Sequence, residues 1–302
     1  MVHLASYTLR ALLHISAVVL IYACASSSMK ISVVTGSNKG IGLAIAKMLA
    51  RAPGHLCVLT SRSQELGQKA LDELKGLGLD SVVYKQLDIG DPASVERFAA
   101  EMEQEYGKLD ILVNNAGIAF KAADPTPFQE QAEPTVKTNF FDTMAFTEKL
   151  LPLVRKSSAG RVVNVASMAG HLSILGNQAR RDAFTDPALT KEQLKSMMSE
   201  FVADVKRGQH KEKGWPNTCY GMSKLGLIAY TKVAAKAEQE AGSKVLVNAC
   251  CPGYCNTDMT SHKGTLTPEQ GALTPFMLTE MKDLEEGGMT GKFFREEALS
   301  EW

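Results

Sequence analysis

The sequence predicts an α/β fold in which a parallel sheet is covered on both faces by helices. Two observations carry the prediction. Apolar, β-branched runs alternate along the chain with amphipathic stretches of helical period, and the runs are too apolar to keep one face in water. The first run also ends in a glycine-rich turn that opens directly into a helical pattern.

Residues 30–35 (KISVVT) read as the first strand. Gly36-Ser37-Asn38-Lys39-Gly40-Ile41-Gly42 follows, and then Leu43, Ile45, Ala46 and Leu49 at helical spacing. A dinucleotide site needs glycines here: one for the tight turn, one to let backbone amides approach the pyrophosphate, and one for close helix–strand packing, with the helix N-terminus facing the anion. The spacing, three residues between the first two glycines and then Gly-x-Gly, differs from the common G-x-G-x-x-G fingerprint. Strand-like stretches at 55–60, 81–88, 111–114, 161–166 and 245–249 alternate with helical ones at 63–77, 92–106 and 139–154. The order predicts a Rossmann-type, doubly wound parallel sheet in three α/β/α layers, with the ligand crevice at the carboxyl ends of its strands.

The second strand ends in Ser61-Arg62 with no acidic residue beside it, where NAD-preferring folds place Asp or Glu against the ribose 2'-hydroxyl. Each of Arg62 and Lys39, taken alone, reads as a solvated surface cation. Together, and without the acid, they point to a 2'-phosphate and hence to NADP(H).

Lys+Arg and Asp+Glu both number 33, so the zero net charge offers no basic field to gather nucleic acid. Six cysteines are too sparse for a disulfide scaffold. Cys250, Cys251 and Cys255 lack histidine or a second cysteine pair at ligand spacing, so no metal site is expected. Cys255 falls in a loop bordering the predicted crevice and is a candidate modifiable thiol.

Residues 1–29 read differently. Arg10 precedes an apolar stretch over 11–25, broken by His14 and Ser16 and ending in Ala23-Cys24-Ala25 before three serines. This has the form of a signal peptide or short signal anchor, and any membrane contact is expected through residues 11–25 alone. Met29, directly before the first strand, fits the start of a cytosolic form, and a cytoplasmic location for the remainder is the favoured reading. Residues 30–302 are expected to form one catalytic domain.

Tyr220-Gly-Met-Ser-Lys224 puts a phenol and an ammonium on one helix face. The pair gains meaning from its company: Asn114-Asn115-Ala116-Gly117 after a strand, Asn139 in Lys-Thr-Asn-Phe, Ser167 after Arg-Val-Val-Asn-Val-Ala, and Pro252-Gly253 after the last strand. In this order the motifs TGSNKGIG, LDILVNNAG, VVNVAS, YxxxK and CCPG resemble the short-chain dehydrogenase/reductase family over residues 30–302. Within it, TNFFDT, GRVVNVAS, GWPNTCYGMSK, VNACCPGY and GKFFREEALSEW look closest to the monomeric, NADPH-dependent carbonyl reductases.

Ser167 and Tyr220 stand 53 positions apart, where typical members have little more than a dozen. The extra residues, 171–215, carry a capping-box pattern, Thr190-Lys-Glu-Gln193, and then Leu194, Met197, Met198, Phe201, Val202 and Val205 at helical spacing. That stripe reads as core packing of a helical insert. In the resembled reductases such an insert covers the surface used for oligomerisation, which implies a monomer.

The resemblance implies roles. Tyr220 gives a proton to the carbonyl oxygen as hydride arrives. Lys224, together with the charge of the oxidised nicotinamide, favours phenolate and lowers the Tyr220 pKa from its free value of about 10, and it holds the ribose. Ser167 donates to the substrate oxygen, and Asn139 holds a water that links Lys224 to solvent. Asp88 and Asn115 line the adenine and its ribose; Pro252, Gly253 and Thr257 close over the nicotinamide. The loop departs from the pattern at Tyr254, where tryptophan is common, and at Cys255-Asn256. Met168 and Trp215 are candidate pocket walls. Two alternatives stand beside carbonyl reduction: an NADP-linked dehydrogenase of steroid or prostanoid alcohols, and a non-catalytic dinucleotide-binding redox scaffold. The intact set Asn139, Ser167, Tyr220 and Lys224 argues against the latter.

Overall fold

Each apolar run becomes a strand because its alternate residues meet helices on opposite sides. The computed structural model describes residues 29–121 and 123–302. Its strands are β1 (Lys30–Val34), β2 (His55–Ser61), β3 (Val82–Gln86), β4 (Ile111–Asn114), β5 (Arg161–Val165), β6 (Leu246–Cys251), β7 (Phe293–Arg295) and β8 (Ala298–Ser300). They form one sheet in the order β3-β2-β1-β4-β5-β6-β7-β8. Neighbours from β3 to β7 pair parallel and β8 pairs antiparallel. The chain reverses its direction of travel across the sheet between β1 and β4, which puts the crevice there.

The helices are α1 (Gly40–Arg51), α2 (Gln64–Gly76), α3 (Pro92–Tyr106), α4 (Phe128–Val136), α5 (Thr143–Val154), α6 (Gln178–Thr185), α7 (Lys191–Lys206), α8 (Cys219–Glu240) and α9 (Pro268–Thr279). Val34, Leu59, Val113 and Val163 pack with Ile45 and Leu49 of α1, Leu74 of α2 and Leu278 of α9. Their neighbours Val33, Val58, Leu112 and Val162 point the other way, into Phe98, Phe146, Leu225 and Ile228 of α3, α5 and α8. The expected three layers follow. Burying each of these side chains contributes roughly 1.5–3 kcal/mol.

The helix expected over 139–154 is part of a longer run. A π turn, Lys137–Asp142, joins α4 to α5 and carries Asn139. The insert contains α6 and α7. The Thr190–Gln193 capping box forms, and Leu194, Met198, Phe201 and Val205 are buried. α7 packs against α4 and α8. It comes close to α8 at Gly226, where an added methyl would lie 2.7 Å from the Met198 sulfur. Residues 1–28, where the signal or anchor reading falls, lie outside the described residues. Among those described, no helix is long and apolar enough to cross a membrane.

Candidate active site

All the predicted site residues but Asn139, Tyr220 and Lys224 follow the carboxyl ends of β1 to β6, so parallel pairing gathers them on one edge of the sheet. The turn after β1 is stitched to the end of β2. Ser37 N donates to Thr60 O at 2.9 Å, and Ser37 Oγ donates to Val34 O at 2.8 Å. Gly36 and Gly40 have φ of 61° and 58°, which only glycine adopts cheaply. Asn115, after β4, props the turn from beneath, its Nδ2 donating to Thr35 O at 2.9 Å and Gly36 O at 3.1 Å. A methyl at Gly42 would collide with that Asn115 amide and lie 2.6 Å from Gly36 O. The glycine therefore keeps the start of α1 flush with the turn, forming the backbone cradle a pyrophosphate requires.

Asn38 and Ile41 are half-buried, Ile41 against the α1 face of the core, while Lys39 and Arg62 are exposed. Asp88 makes its own turn after β3, its Oδ1 accepting from Gly90 N at 2.9 Å. After β6, Gly253 has φ 81° and Thr257 leans on the glycine turn, 3.3 Å from where a Gly40 methyl would sit.

Ser167 follows β5 and caps a short 3₁₀ turn, Met168–Gly170, its Oγ accepting from Ala169 N at 3.1 Å. That turn lies directly on the start of α8. A methyl at Gly170 would come within 2.5 Å of Leu225 N, and one at Gly221 within 2.6 Å of Ala169 O. These two glycines set the approach of Ser167 to Tyr220. Thr218 caps α8, accepting from Gly221 N at 3.0 Å, so Tyr220 stands in the first turn. Lys224, one turn on, is buried with its Nζ 5.7 Å from the Tyr220 ring centroid and donating to Val165 O at 2.8 Å.

Asn139 sits in the π turn with its side chain bonded on both sides. Its Oδ1 accepts from Ile118 N at 2.8 Å, and its Nδ2 donates to Ile118 O at 2.9 Å and Ser223 Oγ at 3.0 Å. The side chain is fully engaged in clamping the loop after β4 to α8.

The Tyr220 phenol and the Lys224 ammonium are both shifted by their surroundings. Burial, aided by Cys251, pushes the phenol up to about 12, and Ser167 only partly opposes this. Burial pushes Lys224 down to about 8 against the opposing pull of Cys250 and Cys251. In both groups loss of solvation is the largest cause of the shift.

Trp215 is not a pocket wall. It is 3% exposed in the core of the insert, where its Nε1 donates to Asp204 Oδ2 at 3.0 Å and the Arg180 guanidinium lies 3.5 Å over its ring. Met168 is half-buried beside Ser167. Cys255 is buried, its thiol donating to Pro252 O at 3.2 Å, and burial with Cys251 nearby pushes it up to about 11. Such a thiol is a poor nucleophile. Val165, Gly170, Gly221 and Ser223 complete the site. Only the glycines carry a signal in the sequence, and its meaning depends on which backbone they face.

A family model described as short chain dehydrogenase matches residues 30–179 and 205–266, leaving 180–204 unmatched inside the insert. Carbonyl reductase (NADPH) 1 of Homo sapiens is 44% identical over 280 residues, which span 92% of this chain and 100% of that protein. Carbonyl reductase (NADPH) 3 of Mus musculus is 42% identical over 282 residues, again 92% and 100%. Among solved structures, salutaridine reductase from Papaver somniferum superposes with a TM-score of 0.80 at 32% identity, covering 88% of this chain and 99% of that one. The glycine-rich turn, the Ser167–Tyr220–Lys224 cluster and these matches agree: the chain belongs to the short chain dehydrogenase family.

Proposed function

We propose that this protein is an NADPH-dependent carbonyl reductase converting quinones, aldehydes and ketones to alcohols. The observation that carries the reading is the Tyr220 phenol standing at the carboxyl edge of the sheet with the Lys224 ammonium 5.7 Å from its ring centroid and Ser167 beside it after β5. The glycine cradle fits a dinucleotide, and the exposed Lys39 and Arg62, with no acid at the end of β2, fit a 2'-phosphate.

When bound, the reduced nicotinamide supplies the hydride. Tyr220, whose phenol at about 12 keeps its proton throughout the neutral range, gives that proton to the substrate oxygen. Ser167 donates to the same oxygen as charge develops on it. Lys224 has one N–H committed to Val165 and two left for ribose hydroxyls, and its charge steadies the phenolate that remains. Asn139 holds the Ile118 loop and Ser223 in register with α8, and a relay water near Lys224 would rest on groups other than its side chain. Asp88 and Asn115 flank the adenine side; Pro252, Gly253 and Thr257 cover the nicotinamide side. Oxidation of an alcohol runs through the same Tyr220 in reverse, so the dehydrogenase reading shares this site, and the ratio of reduced to oxidised coenzyme sets the direction.

Residues 30–302 constitute the catalytic domain in this reading. It acts as a monomer in the cytoplasm, with residues 1–29 as an address or an alternative start. A fusion of residues 1–35 to a fluorescent reporter tests the location, and secretory or membrane signal overturns it. The activity is tested by NADPH oxidation with a panel of quinones, aromatic aldehydes and ketones, beside NADH and Tyr220→Phe. Turnover with NADPH, less with NADH, and its loss in the variant with NADPH affinity kept is the expected result. Tight NADPH binding without turnover on any of the panel overturns it.

A further inference from the structure

Lys39, one of the two cations assigned to the 2'-phosphate, already has a carboxylate on it. Its Nζ donates to Asp258 Oδ2 at 2.7 Å, both side chains standing in solvent at 65% and 54% exposure. Asp258 comes from the other side of the crevice, directly after Thr257 in the loop following β6. That loop is shaped to present it. Ser261 and His262 take left-handed φ values of 53° and 58°, unfavourable for residues with a side chain. The turn brings His262 Nε2 to 3.0 Å from Asp258 Oδ1, while Asn256 Oδ1 lies 2.9 Å from His262 Nδ1. One oxygen of Asp258 is thus oriented by its own loop and the other faces Lys39. The Lys39 hydrogen bond is the leading cause that holds the Asp258 carboxyl below its ordinary range, so it is an anion at neutral pH.

We infer that Asp258 is a coenzyme-discrimination residue: its carboxylate competes with the 2'-phosphate of NADP(H) for Lys39 and limits the preference of this chain for NADPH over NADH. The inference rests on the NADPH reading above. An ammonium has three donors but a single position, and a phosphate dianion drawn to it meets the Asp258 charge at close range. The phosphate must displace or share with that carboxylate, whereas NADH, with only a 2'-hydroxyl, has no reason to contest it. An exposed ion pair is cheap to break, so the effect on affinity is modest.

Dissociation constants for NADPH and NADH, read from coenzyme fluorescence or calorimetry on the full chain, test this in the wild type, Asp258→Asn, Lys39→Met and the double variant. Asp258→Asn is expected to tighten NADPH by about threefold to fivefold and to leave NADH unchanged. The tightening disappears in the Lys39→Met background. An Asp258→Asn protein with unmoved NADPH affinity overturns the inference. So does equal tightening of both coenzymes, which would mark a loosened loop, or tightening that survives loss of Lys39. A wild type that binds both coenzymes alike overturns the NADPH reading and this inference with it. An intact wild-type preference with an unmoved variant overturns the inference alone.

Discussion

The Lys224 ammonium donates to the carbonyl oxygen of Val165 at 2.8 Å, tying the second turn of α8 to the last residue of β5. Ser167 lies two residues beyond Val165, and Tyr220 one turn before Lys224. A single buried hydrogen bond thereby fixes the spacing between the strand that carries the hydroxyl and the helix that carries the phenol. The arrangement keeps a charge where burial opposes it.

Lys224→Met is therefore expected to remove activity by at least about a hundredfold while stabilising the protein. Burial holds Lys224 at about 8 against an ordinary 10.5, a difference worth about 3 kcal/mol. The sign follows from proton counting. Below pH 8 the side chain is charged in both folded and unfolded states, and the folded state bears the full burial cost. From pH 8 to 10.5 the unfolded chain holds more protons, and the cost fades. Denaturant melts from pH 6 to 10.5 should show the variant's advantage largest at low pH and shrinking above 8. An advantage that does not change with pH would refute the electrostatic origin.

Gly42→Ala tests the cradle. The methyl would meet the Asn115 amide that supports the turn after β1, Gly36 O at 2.6 Å and the Ser37 backbone at 2.9 Å. Overpacking of this kind costs about 1–3 kcal/mol, and the displaced turn should weaken both NADPH and NADH by about tenfold or more. Calorimetric titration separates this from a selective effect. Loss of NADPH alone would place the 2'-phosphate, not the pyrophosphate, at Gly42.

Asp204 is the anchor of the insert. Fully buried, it accepts from Arg207 and Lys213 at 2.6 and 2.7 Å and from Trp215 at 3.0 Å. Burial pushes its carboxyl up, but those hydrogen bonds outweigh it and bring it down to about 2. Asp204→Asn keeps the shape and loses the charge, so stability should fall by about 2 kcal/mol. The ordinary carboxyl value is 3.8. The wild type's advantage is thus complete above pH 4 and declines as pH falls toward 2. Hydrogen exchange should loosen first in α7 and residues 207–215 while β1 and β4 stay protected. Uniform loss of protection would show that the insert is not a separately opening unit.

Strands and chemistry were legible in the sequence to different depths. β1, β2 and β4 to β6 were readable because residues buried on both faces form largely apolar runs, and the site motifs because parallel pairing gathers strand ends. The insert helix announced itself through a capping box and a period. α9 carried the same sign, Thr267 and Gln270, and could have been found by it. α4 is obscured by Pro134 within it. The Tyr220 and Lys224 pKa directions depend on burial, and the Asn139 clamp depends on Ile118 coming to it across the fold. Neither burial depth nor a backbone partner that distant in sequence can be read from spacing. β7 and β8 left no trace at all, because their turn breaks the usual chemistry.

That turn supplies the last prediction. Glu296 and Glu297 link the two strands with φ of 51° and 57°, a geometry for which Asn-Gly is the ordinary choice. Each left-handed residue with a side chain costs about 1–2 kcal/mol. The two are not equivalent. Glu296 makes an exposed ion pair with Arg295 at 2.7 Å, worth little, whereas Glu297 accepts from Thr274 Oγ1 at 3.0 Å and fastens the hairpin to α9. Glu296→Gly should therefore raise stability by about 1 kcal/mol, while Glu297→Gly gives up a hydrogen bond worth about as much as the strain it relieves and should be near neutral. Thermal melts of the two variants decide it, and equal stabilisation by both would mean that the Thr274 contact contributes nothing.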